Sequence, residues 1–172
     1  MSKIVLALLI LEEISNCESR SRGAPTTACR SLIPAHGYPA QRTHPPYQII
    51  ADPQKIYDNT TVTVTIRVVS KKYRFKGFIA QAKETAYWQR HFQPAIGTFK
   101  FTAGTRRLNC YHGEHNTITH SHAQYSEDVI LTWMPPFKFR GRITFMGTIV
   151  GTFKKFWTRV YSNTVDIQDY PI

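Results

Sequence analysis

The sequence predicts an all-β domain, an antiparallel sandwich of short strands. The chain of 172 residues is rich in Thr, Val, Ile, Tyr and Phe, the side chains that suit a pleated, half-buried surface. Ten prolines and nine glycines divide it into short runs joined by turns. No convincing amphipathic helix separates those runs, so strands must pack on strands.

The elements follow in order. Lys3 precedes an apolar run from Ile4 to Leu11, and Ser15-Asn-Cys17 places small side chains where a signal peptidase reads. Residues 1–17 are therefore expected to be a signal peptide, with Glu12 and Glu13 leaving the cut site open. The run falls short of the roughly 20 apolar residues that span a bilayer, and no later stretch approaches that length. The mature chain of about 150 residues is one domain, expected to be secreted and soluble. Gly23 to Pro46 contains Pro25, Pro34, Pro39, Pro45 and Pro46, so it lies across the sandwich without a continuous ladder, pinned by Cys29. Asn59-Thr-Thr61 is a glycosylation sequon in an exported chain. Thr61 to Val68 alternates most clearly, with Val62, Val64, Ile66 and Val68 on one face. Further strands are expected at Phe75–Ala82, Gly97–Phe101, Val129–Trp133, Ile143–Val150 and Phe156–Tyr161. Glu84 to Pro94, with Tyr87, Trp88, His91 and Phe92, is the longest connection and reads equally as loop or short helix. Residues 168–172 form a short tail.

Of three cysteines, Cys17 leaves with the leader, and Cys29 and Cys110 remain to pair. A loop of about 80 residues closed in this way stabilises the fold by at most roughly 4 to 5 kcal/mol.

Gly23-Ala-Pro-Thr-Thr-Ala-Cys29 through Pro34-Ala-His-Gly37 and Lys76-Gly-Phe-Ile-Ala-Gln-Ala-Lys83 are followed by Gly97-Thr-Phe99, Cys110 and Thr119-His-Ser121. Trp133-Met-Pro-Pro136, Gly141 to Phe145 and Phe156-Trp157 complete the series. In that order these segments resemble the reeler (reelin-type) domain over residues 23–167, and most of all the single-domain secreted defence proteins of arthropods. The resemblance implies an immunoglobulin-like sandwich. Lys83 departs from it, standing where the family commonly has Arg. Gly77 and Gly141 are expected where strands bend or backbones approach, and Trp133 and Trp157 in the core.

Charge supplies the functional signal. Formal net charge is +11, and residues 1–22 carry three basic and three acidic residues, so removing them leaves it unchanged. Cations cluster at Lys71, Lys72, Arg74 and Lys76, at Arg106 and Arg107, at Lys138, Arg140 and Arg142, and at Lys154 and Lys155 with Arg159. In Tyr73-Arg-Phe-Lys76 and Phe137-Lys-Phe-Arg140 a strand would send cations to one face and rings to the other. Phe75, Phe78, Phe137 and Phe139 are expected in the core. Such a surface attracts polyanions such as lipopolysaccharide, lipoteichoic acid or sulfated glycans. The leader, the cysteine pair and the lack of a recognised nucleic-acid module argue against nucleic acid.

His112, His115, His120 and His122 fall within eleven residues. His120 and His122 would share one side of a strand, which makes them weak metal candidates; without a cysteine pair or carboxylate at ligand spacing, the reading is surface histidines and a hydrogen-bonded His120. Protonation of these groups is expected to raise polyanion affinity as pH falls through about 6.5. Ser121, Ser126, the histidines and Asp128 lack a nucleophile elbow, carboxylates are sparse, and no nucleotide-binding glycine loop is present. The sequence therefore points to a binding protein of innate immunity without turnover or cofactor. The alternative is an extracellular-matrix module that binds sulfated glycosaminoglycan or a protein.

Overall fold

The computed structural model describes residues 22–57, 60–87 and 93–170. The expected signal peptide, Asn59 of the sequon and Trp88 to Phe92 lie outside the described residues.

Ten strands form two sheets: β1 Tyr47–Asp52, β2 Lys55–Ile56, β3 Val62–Val68, β4 Gly77–Glu84, β5 Thr98–Phe99, β6 Thr105–Leu108, β7 Thr117–His120, β8 Asp128–Met134, β9 Gly141–Thr152 and β10 Lys155–Ile167. One sheet has the order β1-β3-β8-β5 and the other β2-β10-β9-β4-β7-β6. Neighbours are antiparallel except β2 beside β10. The only helical turns among the described residues are 3-10, at Thr26–Cys29 and Thr85–Tyr87.

Alternation explains the core. Val62, Val64 and Ile66 of β3 face Phe78, Ala80 and Ala82 of β4 and Ile143, Phe145 and Ile149 of β9 in one apolar cluster. Trp133 is fully buried there, and its indole N–H donates to the Ile96 carbonyl at 3.1 Å. Trp157 and Phe139 pack against this cluster from its edge, partly exposed.

β4 is buried on both faces, because the outer face of its sheet carries a second layer. Ala28, Cys29 and Leu32 pack there on Ile79, Leu108 and Cys110. The Cys29–Cys110 disulfide joins this layer to the connection after β6, with Cα atoms 5.6 Å apart. Polar side chains of the sheet hold its backbone. Gln81 donates to the Cys29 carbonyl at 3.1 Å, the Thr148 hydroxyl to the Leu32 carbonyl at 2.6 Å, and Arg106 to the Ala24 carbonyl at 2.8 Å. The expected proline-rich strap across the sandwich is this layer.

Some expectations are corrected. Tyr73 to Lys76 is a turn with one isolated bridge, Phe75 to Ser126, and Phe137 to Arg140 turns at Lys138, whose φ is +57°. Neither alternates as a strand does, and Phe137 is 79% exposed instead of buried. β10 continues past Tyr161 to Ile167 through polar Ser162 and Asn163. The Asn163 amide accepts from the Ala51 N–H at 2.9 Å and donates to the Ala51 carbonyl at 2.8 Å, so a side chain ties β10 to the edge strand of the other sheet.

Candidate functional site

Strand direction sorts the cations into two ends. β3 and β7 finish, and β4 and β8 begin, at the end where β9 turns back into β10. That end gathers Lys71, Lys72, Arg74 and Lys76 from the β3–β4 loop with Lys154 from the β9–β10 turn and Lys155 at the start of β10. The Lys76 N–H donates to the Val150 carbonyl at 2.8 Å, which ties the β3–β4 loop to β9 just before its turn. Tyr47, buried beneath them, donates its hydroxyl to the Arg74 carbonyl at 3.0 Å. Burial raises the Tyr47 pKa, with Tyr73 adding to the effect. Among the described residues only Arg74 of this group has a carboxylate partner, Glu127 at 2.9 Å. Three lysines sit over aromatic rings instead: Lys76 over Tyr125 at 4.4 Å, Lys72 over Tyr73 at 5.1 Å and Lys154 over Tyr38 at 5.3 Å.

The other basic residues are placed differently. Lys138, Arg140 and Arg142 lie at the far end, where Arg140 pairs with Asp169 and Arg142 stands across the ladder from Asp166. Arg106 and Arg107 are neighbours in β6 and point to opposite faces. Arg106 anchors the strap, and Arg107 reaches the Phe99 carbonyl at 3.5 Å. The sequence clusters are thus unequal, and only two of them converge.

The histidines also separate. β7 ends at His120, and the chain bends at Ser121 and His122, so the two imidazoles do not share a strand face. His122 is exposed beside the Ser121 hydroxyl at 2.8 Å. The Phe78 N–H donates to His120 Nδ1 at 3.2 Å. Gly77 permits this approach, since a Cβ there would lie 2.6 Å from the His120 ring. His112 and His115 precede β7, at the opposite end. Among the described residues no group of three or more His, Cys, Asp or Glu is placed to hold a metal, and no helix is long and apolar enough to cross a membrane.

Beside the cationic end, a cavity of about 340 Å³ opens between the strap and the outer face of the six-stranded sheet. His36 and Phe153 form part of its wall; their rings stack at 4.4 Å, and His36 Nδ1 bonds the Phe153 carbonyl at 2.8 Å. Tyr38, Tyr125 and His36 carry no periodic signal, and only the fold brings them to the lysines, whereas Phe153 adjoins Lys154 in the sequence.

A family model described as the Reeler domain matches residues 27–171, and the chain belongs to that family. It is 32% identical over 169 residues to a Bombyx mori protein named "Putative defense protein", covering 95% of this chain and 93% of that one. It is 31% identical over 153 residues to "Defense protein l(2)34Fc" of Drosophila melanogaster, covering 86% and 89%. A Drosophila "Putative ferric-chelate reductase 1 homolog" is 29% identical, but the match spans 87% of this chain and 23% of that protein. Among solved structures, the human F-spondin reeler domain superposes with a TM-score of 0.63 at 16% identity, over 81% of this chain and 100% of that domain; the two share a fold.

Proposed function

We propose that this chain is an extracellular defence protein that binds anionic microbial surface polymers, lipopolysaccharide and lipoteichoic acid, without turnover. The observation that carries this reading is the convergence of Lys71, Lys72, Arg74, Lys76, Lys154 and Lys155 at one end, with a single carboxylate pairing and three rings under cations. Exposed lysines without acidic partners meet phosphates at little desolvation cost, and flat rings beside them offer stacking faces to sugars.

The test is binding of the oxidised mature protein to immobilised lipopolysaccharide, lipoteichoic acid and heparin across a salt series. Lys71, Lys72 and Lys154 changed together to Glu should weaken binding to both bacterial polymers at least tenfold at physiological salt, whereas Lys138→Glu with Arg142→Glu should change it less than threefold. Stronger binding to heparin than to either polymer would favour the matrix-module reading. Equal losses from both sets of changes would remove the assignment to this end.

A further inference from the structure

The cavity beneath the strap has the composition of a lipid-chain site. Its walls come from Ala28, Leu32 and Ile33 of the strap and from Ile79 and Val150 of the sheet, and among the described residues no carboxylate lines it. Several polar groups that line it have partners in the protein: the Thr148 hydroxyl donates to the Leu32 carbonyl, the Thr152 hydroxyl accepts from the Lys155 N–H, His36 bonds the Phe153 carbonyl and His120 accepts from the Phe78 N–H, while Thr27 and Lys76 also lie in the lining. At about 30 Å³ per water-sized group, 340 Å³ holds roughly eleven such groups, the size of a straight chain of about ten carbons.

Its mouth is amphiphilic. Ile33 is 53% and Phe153 37% exposed at the lip, where single large apolar groups mark a boundary between apolar ligand and water. Lys76 lies in the lining, held over the Tyr125 ring and not against a carboxylate. A head placed at this mouth meets positive charge and a tail passing inward meets apolar carbon, which selects an anionic amphiphile over a neutral or cationic one.

We infer that this cavity takes the acyl chain of an anionic amphiphile, with Lys76 at the head group. The inference rests on the reading of this end as an anion-binding surface and adds a ligand class and a second set of residues. Acyl-free polyanions would use the outer lysines alone. Acylated ones would use the lysines and the cavity together.

The experiment is calorimetric titration of the oxidised mature protein with dodecyl phosphate below its micelle concentration, butyl phosphate, and dodecyl trimethylammonium, beside acyl-free polyphosphate. Dodecyl phosphate is expected to bind one per chain and at least a hundredfold more tightly than butyl phosphate. The cationic homologue is expected to bind at least tenfold more weakly. Val150→Phe fills the cavity and should weaken dodecyl phosphate at least tenfold while leaving polyphosphate unchanged; Ala35→Trp, at an exposed position of the cavity lining, gives the same test if the first variant misfolds. Lys76→Met should narrow the gap between the anionic and cationic homologues. Equal affinity for the two alkyl phosphates, or no response to either filling variant, overturns the inference, and with polyphosphate binding intact it falls alone. Loss of polyphosphate and alkyl phosphate binding together would overturn the proposed function as well.

Discussion

Gly97 and Lys83 show what single positions contribute. A Cβ on Gly97 would lie 2.2 Å from the Trp133 ring and 2.4 Å from the Met134 carbonyl, at a φ of +68°. Gly97→Ala therefore meets strain and overpacking at once and should cost about 3 kcal/mol or more. Gly104→Ala, at φ +77° with nothing within 4 Å, should cost about 1 kcal/mol. Urea melts of the two variants test this, and equal losses would disprove it. Lys83 is 8% exposed on β4, its amine donating to the Gln93 carbonyl. Burial lowers its pKa to about 8. Because the unfolded chain keeps the ordinary lysine value, it binds more protons than the folded chain above pH 8, so stability should rise with pH there. Between pH 8 and 9.5, below the titration of Tyr47, the gain should be about 1 to 2 kcal/mol. Lys83→Met should flatten the curve; an unchanged slope would show that the amine does not titrate in this range.

At the scale of elements, strands with an apolar run or clear alternation were legible, β4 included although both its faces are covered, and strands rich in polar side chains were not. β3 shows its alternation because Thr63 and Arg67 face water. β7 buries Thr117 and Thr119 under the strap, so its threonines read as a polar segment. Charged Arg106 and Arg107 conceal β6 in the same way. β1 directly follows Pro45-Pro46 and was not among the expected strands, although Tyr47, Ile49 and Ala51 alternate inward. The cation clusters were visible as residues, but their meeting depends on strand direction, which composition does not encode. The strap also has its own stability. It is tied by the disulfide and by hydrogen bonds from Gln81, Thr148 and Arg106, whereas the main core lies between the sheets. Reduction of Cys29–Cys110 should therefore lower global stability by up to about 4 kcal/mol and weaken dodecyl phosphate binding before strand content falls. Circular dichroism and calorimetry on the reduced protein test the order of these losses. A simultaneous loss would mean that strap and sandwich unfold as one unit.

For the whole molecule, the asymmetry of the two ends limits what one copy can do. β9 alone runs 12 residues, about 40 Å at the usual rise, so the converged lysines and the far-end arginines cannot grip one short anionic stretch together. The far end offsets its cations with Asp166 and Asp169, while the lysine end leaves most of its charge free. On the proposed function one copy presents one strong anion-binding end, and a monovalent binder coats a polymer without bridging two cells. The expected outcome is that the mature protein, monodisperse by sedimentation, binds bacteria without agglutinating them, whereas two copies joined by a flexible linker agglutinate at the same molar concentration of domains. If the unlinked monomer agglutinates and Lys138→Glu with Arg142→Glu abolishes the effect, the far end is a second site and the molecule is bivalent by itself.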